Sequence, residues 1–362
     1  MTSTRLGLLA AAGLISAWPH AVEAAARPPL ELGQVKWQRG LESALEQSRS
    51  TGKPVLVFFQ EVPGCATCVN FGQQVMSHPL IVEAVETDFI PVLVFNNRKG
   101  EDQKLLKRFS EPAWNNPVVR YLDGRGQDLV ARQDRIWAVA PTAGRMIAAL
   151  AAAGRPVPKY LQAVAAWENP KALKKATFAM GCFWTGEARL GSLGGVVGTR
   201  VGWMDRQEVV EVTYDPQRIA YAKLVESAQS MQCAGRVYAA GADDLAVAKK
   251  LAGDRARLAQ VPARDAKSSD QYHALRRTAY RYLPLTSMQA TKINAALVRK
   301  SRDTQQWLSP RQRQMLVEIV AAVKADRQSL AGVDLPRNDA AVPIAHQRLH
   351  QRLAELRPAG AS

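Results

Sequence analysis

The chain has 362 residues, a length that fits two domains, and at 47% hydrophobic residues it can bury a core in each. Beyond its N-terminus no run of 18 apolar residues occurs, which excludes an internal membrane-spanning helix. Four cysteines, two of them paired as C-x-x-C, are too few for a disulfide-rich scaffold and lack the second pair of a structural zinc site.

The first 26 residues read as a secretory signal. Arg5 supplies the positive start, "LGLLAAAGLISAW" the apolar run, and "AVEAAA" the small residues before a cleavage point. The mature protein is therefore expected in the periplasm or secreted. The formal charge of +16, part of it in "RKSRDTQQWLSPRQR", then fits a solvated basic face or weak contact with an anionic surface better than nucleic acid.

Residues 33–155 alternate helix and strand. "LESALEQSRSTGKP" is an amphipathic helix closed by Gly52 and Pro54, and "PVLVFFQ" a buried strand. Helical "CATCVNFGQQVM" and "HPLIVEAVE" precede a second buried strand, "FIPVLVFNN", and the helix "EDQKLLKRFS". "NNPVVRYLDGRGQDLVAR" reads as two strands about Asp123-Gly124, and "TAGRMIAALAAAG" closes the unit as a helix. Helices between apolar strands imply a sheet with crossovers.

Prolines punctuate residues 156–172, a plausible linker. A second unit over 173–305 opens with the strand "KKATFAM", followed by strands "GGVVGTRVGW" and "EVVEVTYDP". "IAYAKLVESAQSMQ", "DDLAVAKKLAGDRARLAQ" and "TSMQATKINAALVRK" read as helices, the last capped by Thr286 or Ser287. Residues 306–362 form a helical extension. His346 and His350 stand four apart on its last helix with no third ligand near, so no metal is expected.

Cys65 and Cys68 lie at a strand end opening a helix, where the helix N-terminus favours thiolate at the first cysteine. The strand "KPVLVFF" before them, and Pro117 in "NNPVVRYLDGRG", make most of 35–155 resemble the thioredoxin-like family. The resemblance implies a redox-active pair beside a cis Asn116–Pro117 bond. Gly64 replaces the tryptophan that usually precedes the first cysteine.

Cys182, in "GCFWTGE", follows the strand of the second unit and starts a helix, so the same argument makes it a candidate nucleophile. Phe183 and Trp184 beside it can wall an apolar pocket; the residues alone equally allow a buried structural cysteine. With "GVVGTRVGW", "EVVEVTYDP" and "RRTAYRYLPLT" following in order, residues 174–300 resemble the A-type peptide-methionine (S)-S-oxide reductases. The fold class expected is thus α/β and α+β: a thioredoxin-like domain, then a reductase-like domain with a helical extension.

That resemblance implies that Cys182 attacks the sulfur of methionine sulfoxide while Phe183 and Trp184 hold the S-methyl group. Glu208 then protonates the oxygen, and Tyr280 hydrogen-bonds it. Trp203 stands where the family has the tyrosine of "G-Y-T-G-G", Arg206-Gln207-Glu208 replaces "H-A-E", and Leu275 falls on the family's aspartate. Cys182 becomes a sulfenic acid, and Cys233, the other cysteine of this unit, is expected to close a disulfide with it. The tethered Cys65–Cys68 pair is the expected reductant. Neither flavin nor nicotinamide fingerprint appears, so an external thiol or thioredoxin-type donor must recharge it. The alternative is a thiol–disulfide oxidoreductase whose second unit only binds clients.

Overall fold

The computed structural model describes residues 28–357, so the signal segment lies outside the described residues. Its first unit starts with α1 (Leu41–Thr51), buried along Leu41, Ala44 and Leu45, then β1 (Val55–Gln60), α2 (Ala66–Gln74), α3 (Pro79–Asp88), β2 (Ile90–Phe95), α4 (Glu101–Arg108), β3 (Val118–Leu122) and α5 (Val139–Ala152). The order is β2-β1-β3, with β1 parallel to β2 and antiparallel to β3. Every residue of β1 is buried, as a central strand covered on both faces requires. The arm after Asp123 pairs with β3 only through isolated bridges, Leu122 with Asp128 and Val119 with Gln133. Asp123 Oδ1 accepts from the N–H groups of Arg125 and Gln127, and this turn chemistry holds the arm without a regular ladder.

The stretch read as a linker carries α6 (Lys159–Ala165), whose Tyr160, Leu161, Ala163 and Val164 are buried. It therefore packs as part of the body and is not a free tether.

The second unit is a six-stranded sheet, β8-β7-β4-β6-β5-β9. In chain order it runs β4 (Lys174–Met180), α7 (Phe183–Gly191), β5 (Val196–Met204), β6 (Gln207–Tyr214), α8 (Tyr221–Ser230), β7 (Arg236–Ala239), α9 (Ala242–Ala252), β8 (Ala256–Leu258), β9 (Arg264–Asp265), α10 (His273–Arg276) and α11 (Ser287–Val298). The segment expected to stay helical after Ala252 turns instead into β8, because Gly253 at φ 56 ends the helix and 256–258 pair in parallel with β7. Alternation along β4, β5 and β6 sends Phe178, Val201, Val210 and Val212 to one face, where they meet Phe183 and Leu190 of α7. Thr286 caps α11 in a reciprocal box with Gln289.

Two helices follow, α12 (Pro310–Ala325) and α13 (Val342–Glu355). They form a third core with Leu275, Tyr280, Leu283 and Ile293. At the start of α12 the Arg311 N–H donates to Glu83 Oε1 over 2.6 Å and its guanidinium pairs with Glu86, both on α3. The extension thus bridges the two units. Among the described residues, no helix is long and apolar enough to cross a membrane.

Candidate functional site

The first cysteine cluster sits at the end of β1. Cys65 occupies the N-cap position of α2 and is exposed, while Cys68, one turn on, is buried. Their sulfurs are 3.3 Å apart with both thiols free. Burial pulls the Cys65 thiol up, but hydrogen bonds from the backbone N–H groups of Cys68 and Thr67 and from the Cys68 thiol outweigh it. The net displacement is below the ordinary value. Burial, then the bond to Cys65, push Cys68 up to about 12. A low first thiol beside a high second one is the division of labour a dithiol exchanger needs: one attacks, one resolves. The Cys68 thiol donates to Asn116 Oδ1 over 2.7 Å, and Asn116–Pro117 is a cis peptide. Asn116 was not among the residues picked out from the sequence, although its place before Pro117 marked it.

The second cluster forms where β4 runs out. Met180, its last residue, pairs across the sheet with Glu208 of β6, and Glu208 pairs on its other side with Trp203 of β5. Chain direction therefore carries Gly181, Cys182 and Phe183 over Glu208. Cys182 is exposed at the N-cap of α7, and the Phe183 N–H donates to Glu208 Oε2 over 2.6 Å. The carboxylate satisfies one of the open N–H groups of the helix start. Gly186, one turn further on, leaves the space that Met180 Sδ fills, and a Cβ there would push the thioether aside.

Aromatic rings wall the nucleophile. Phe183 lies 5.8 Å from Trp184 and 5.6 Å, edge-on, from Trp203. Trp184 is 39% exposed, so part of its indole is open to solvent. His273, not singled out from the sequence, stacks on Trp184 at 4.0 Å and 13°. Glu187, the trailing acid of "GCFWTGE", is 1% exposed; its Oε2 accepts from Tyr272 N–H and Asn294 Nδ2, and Thr199 Oγ1 donates to its Oε1. Burial pushes its carboxyl up to about 8 against those bonds. Lys292 Nζ, buried, donates to the carbonyls of Gly191 and Leu193 and closes the far end of α7.

Two further expected residues are buried. Tyr280 is 8% exposed in the core shared with α12 and α13, and its hydroxyl bonds Thr304 at 2.9 Å. Residues 272–273, just before it in the chain, meet Glu187 and Trp184. Cys233 is buried behind α7, its thiol donating to the Met231 carbonyl, which also accepts from Arg189 Nη1 over 2.6 Å. Burial raises that thiol, with Arg189 opposing. Arg189 lies seven residues along α7 from Cys182, about 10 Å by helical rise. The antiparallel register of β4 with β7, in which Ala179 faces Arg236, runs on toward Cys182 and Cys233, and Cys233 shares a core with Phe183; a disulfide needs the two Cα atoms within about 7 Å.

No side-chain hydrogen bond or ion pair among the described residues links either cysteine cluster to the opposite unit; the bridging bonds lie at Glu83, Glu86 and Arg311. Among those residues no group of three or more His, Cys, Asp or Glu side chains is placed to hold a metal ion.

Comparison with known proteins first assigns a class to part of the chain: residues 36–124 match the thioredoxin-like family model. Another part is similar to peptide methionine sulfoxide reductases. The enzyme MsrA of Geobacter metallireducens is 40% identical over 75 residues, 16% of this chain and 46% of that protein. Peptide methionine sulfoxide reductase A5 of Arabidopsis thaliana is 36% identical over 84 residues, 20% of this chain and 33% of that protein. MsrA of Methanothermobacter thermautotrophicus is 39% identical over 70 residues, 15% and 41% respectively. The chain spans less than half the length of each of these relatives. A solved structure described as a DsbH oxidoreductase aligns at 21% identity and a TM-score of 0.29, over 34% of this chain and 90% of that one.

Proposed function

We propose that the protein is an exported reductase of methionine-S-sulfoxide, free or in proteins, that works through a thiol, sulfenic acid and disulfide cycle. One observation carries the reading: an exposed cysteine at a helix N-cap is tied through the next peptide N–H to a carboxyl group and walled by Phe183, Trp184 and Trp203. A thiolate there meets a sulfoxide sulfur while Phe183, Trp184 and Trp203 receive the S-methyl group. Glu208 delivers a proton to the oxygen, the S–O bond of the substrate breaks, and oxygen ends on Cys182 as the sulfenic acid. Methionine leaves reduced by two electrons. The Cys233 thiol then displaces water from the sulfenic acid to give a disulfide, and Cys65 attacks that disulfide, leaving Cys65–Cys68 oxidised. An external thiol or thioredoxin-type donor restores the pair; the cycle needs neither metal nor organic cofactor.

A second reading is a thiol–disulfide oxidoreductase whose second unit only holds methionine-rich clients. It draws on the free, closely paired Cys65 and Cys68, and on the buried Tyr280 hydroxyl, which is engaged by Thr304. Chiral reduction of Met-S-sulfoxide against Met-R-sulfoxide with dithiothreitol separates the two. S-specific turnover lost in Cys182→Ser supports repair; no turnover with either epimer leaves the oxidoreductase.

A further inference from the structure

Trp184 and Glu187 stand three apart on α7 and so share one helical face. Both grip the same short segment. Glu187 Oε2 accepts from the Tyr272 N–H over 2.9 Å, and the His273 N–H adds a second backbone bond to this carboxyl. Asn294 Nδ2, from α11, fixes the carboxyl from behind over 3.2 Å. Held in this way, Tyr272 takes φ 52 and ψ 48, a left-handed conformation that a tyrosine rarely adopts. Its consequence is the direction of the next side chain: His273 lies parallel on the Trp184 indole at 4.0 Å.

We infer that His273 is a substrate-positioning residue of the Cys182 pocket, and that its stack on Trp184 holds the indole as a fixed wall for the S-methyl group of a methyl sulfoxide. The inference rests on the reading of the pocket proposed above. An indole 39% exposed on the first turn of a helix otherwise samples more than one rotamer, and each departure opens the pocket. The stack removes that freedom on one face and leaves the other for substrate. Because the wall is present before and during reaction, it acts on binding more than on the chemical step. Glu187 is the remote anchor of the same device, which accounts for an acid three residues after the tryptophan in "GCFWTGE".

The test uses the full mature chain with His273→Ala and His273→Phe, the second keeping a flat ring without nitrogens. Two readouts are taken: KM and kcat for Met-S-sulfoxide with dithiothreitol, and protection of reduced Cys182 against iodoacetamide by methionine sulfone, which carries the S-methyl group but is not reduced by a thiol, mapped by mass spectrometry. His273→Ala is expected to raise KM and the half-protection concentration roughly three- to tenfold, the size of a lost aromatic pair, with kcat within about twofold. His273→Phe should stay near the wild type in both. If His273→Ala binds as the wild type does while the wild type turns over, this inference falls and the reductase reading stands. If His273→Phe is as impaired as His273→Ala although both melt as the wild type does, the stack is not the cause and the inference falls. If the wild type neither reduces Met-S-sulfoxide nor is protected by methionine sulfone, both fall.

Discussion

The peptide N–H of Phe183 and the carboxyl of Glu208 are joined over 2.6 Å, so the acid and the residue after the nucleophile move as one piece. Twenty-five residues separate them in sequence, and the pairing of Met180 with Glu208 across β4 and β6 brings them together. Glu208→Gln keeps an oxygen to accept that bond but has no proton to give as an acid. The reductase rate should fall by about 10²- to 10⁴-fold, the usual contribution of a general acid, with the melting temperature nearly unchanged. A rate within tenfold of the wild type would remove Glu208 from the chemistry.

Glu187 makes stability depend on pH. Burial holds its folded carboxyl at about 8 against an ordinary value of 4.5, so the folded state holds a proton that the unfolded chain has released between those two values. Its contribution is complete below the unfolded value and is lost as pH rises toward the folded one, by up to about 1.4 kcal/mol per pH unit. Urea unfolding at pH 5 and pH 8 should show the wild type losing stability over that interval. Glu187→Gln, which stays neutral, should show a shallower loss.

The two thiols of the first cluster should alkylate in strict order. With Cys65 displaced downward and Cys68 held near 12, iodoacetamide at pH 7 should label Cys65 first, and Cys68 only after unfolding. Peptide mapping of partially alkylated protein reads the order directly. Asn116→Leu removes the acceptor of the Cys68 thiol and should alter the redox potential of the pair without changing which cysteine reacts first.

One equivalent of Met-S-sulfoxide, added without reductant, should yield a Cys182–Cys233 disulfide. In Cys233→Ser the sulfenic acid on Cys182 should persist and be trapped by dimedone. Because the Cys233 thiol is buried and must leave the Met231 carbonyl before it can attack, disulfide closure should be slower than methionine release in a rapid-quench experiment. Closure as fast as release would mean that the two sulfurs already approach each other in solution.

The apolar strands, the C-x-x-C pair and the start of α7 were legible because their signals are local: an uninterrupted apolar run, a cysteine after a strand, a threonine three residues before a glutamine at the head of α11. The pieces that escaped depend on long-range contacts. β8 and β9 have three and two residues and exist through their pairing with β7 and β5. The bond from Tyr272 to Glu187 spans 85 residues and sets His273 against Trp184. Tyr280 fitted a motif in sequence, but helices α12 and α13 supply an apolar bed and Thr304 a partner for its hydroxyl. Likewise Tyr160 and Leu161 turn a proline-rich stretch into the packed helix α6.

Gly186 leaves room for Met180, whose sulfur lies against the backbone of α7 one turn past the nucleophile. That thioether is itself open to the damage the pocket is proposed to mend. An oxygen added to Met180 makes the side chain larger and polar at a place with no slack, and it would lever the head of α7 away from β6. The strength of oxidant the protein survives is then set by how well one of its own methionines is shielded, and an oxidant burst strong enough to reach Met180 would silence the site it was meant to engage.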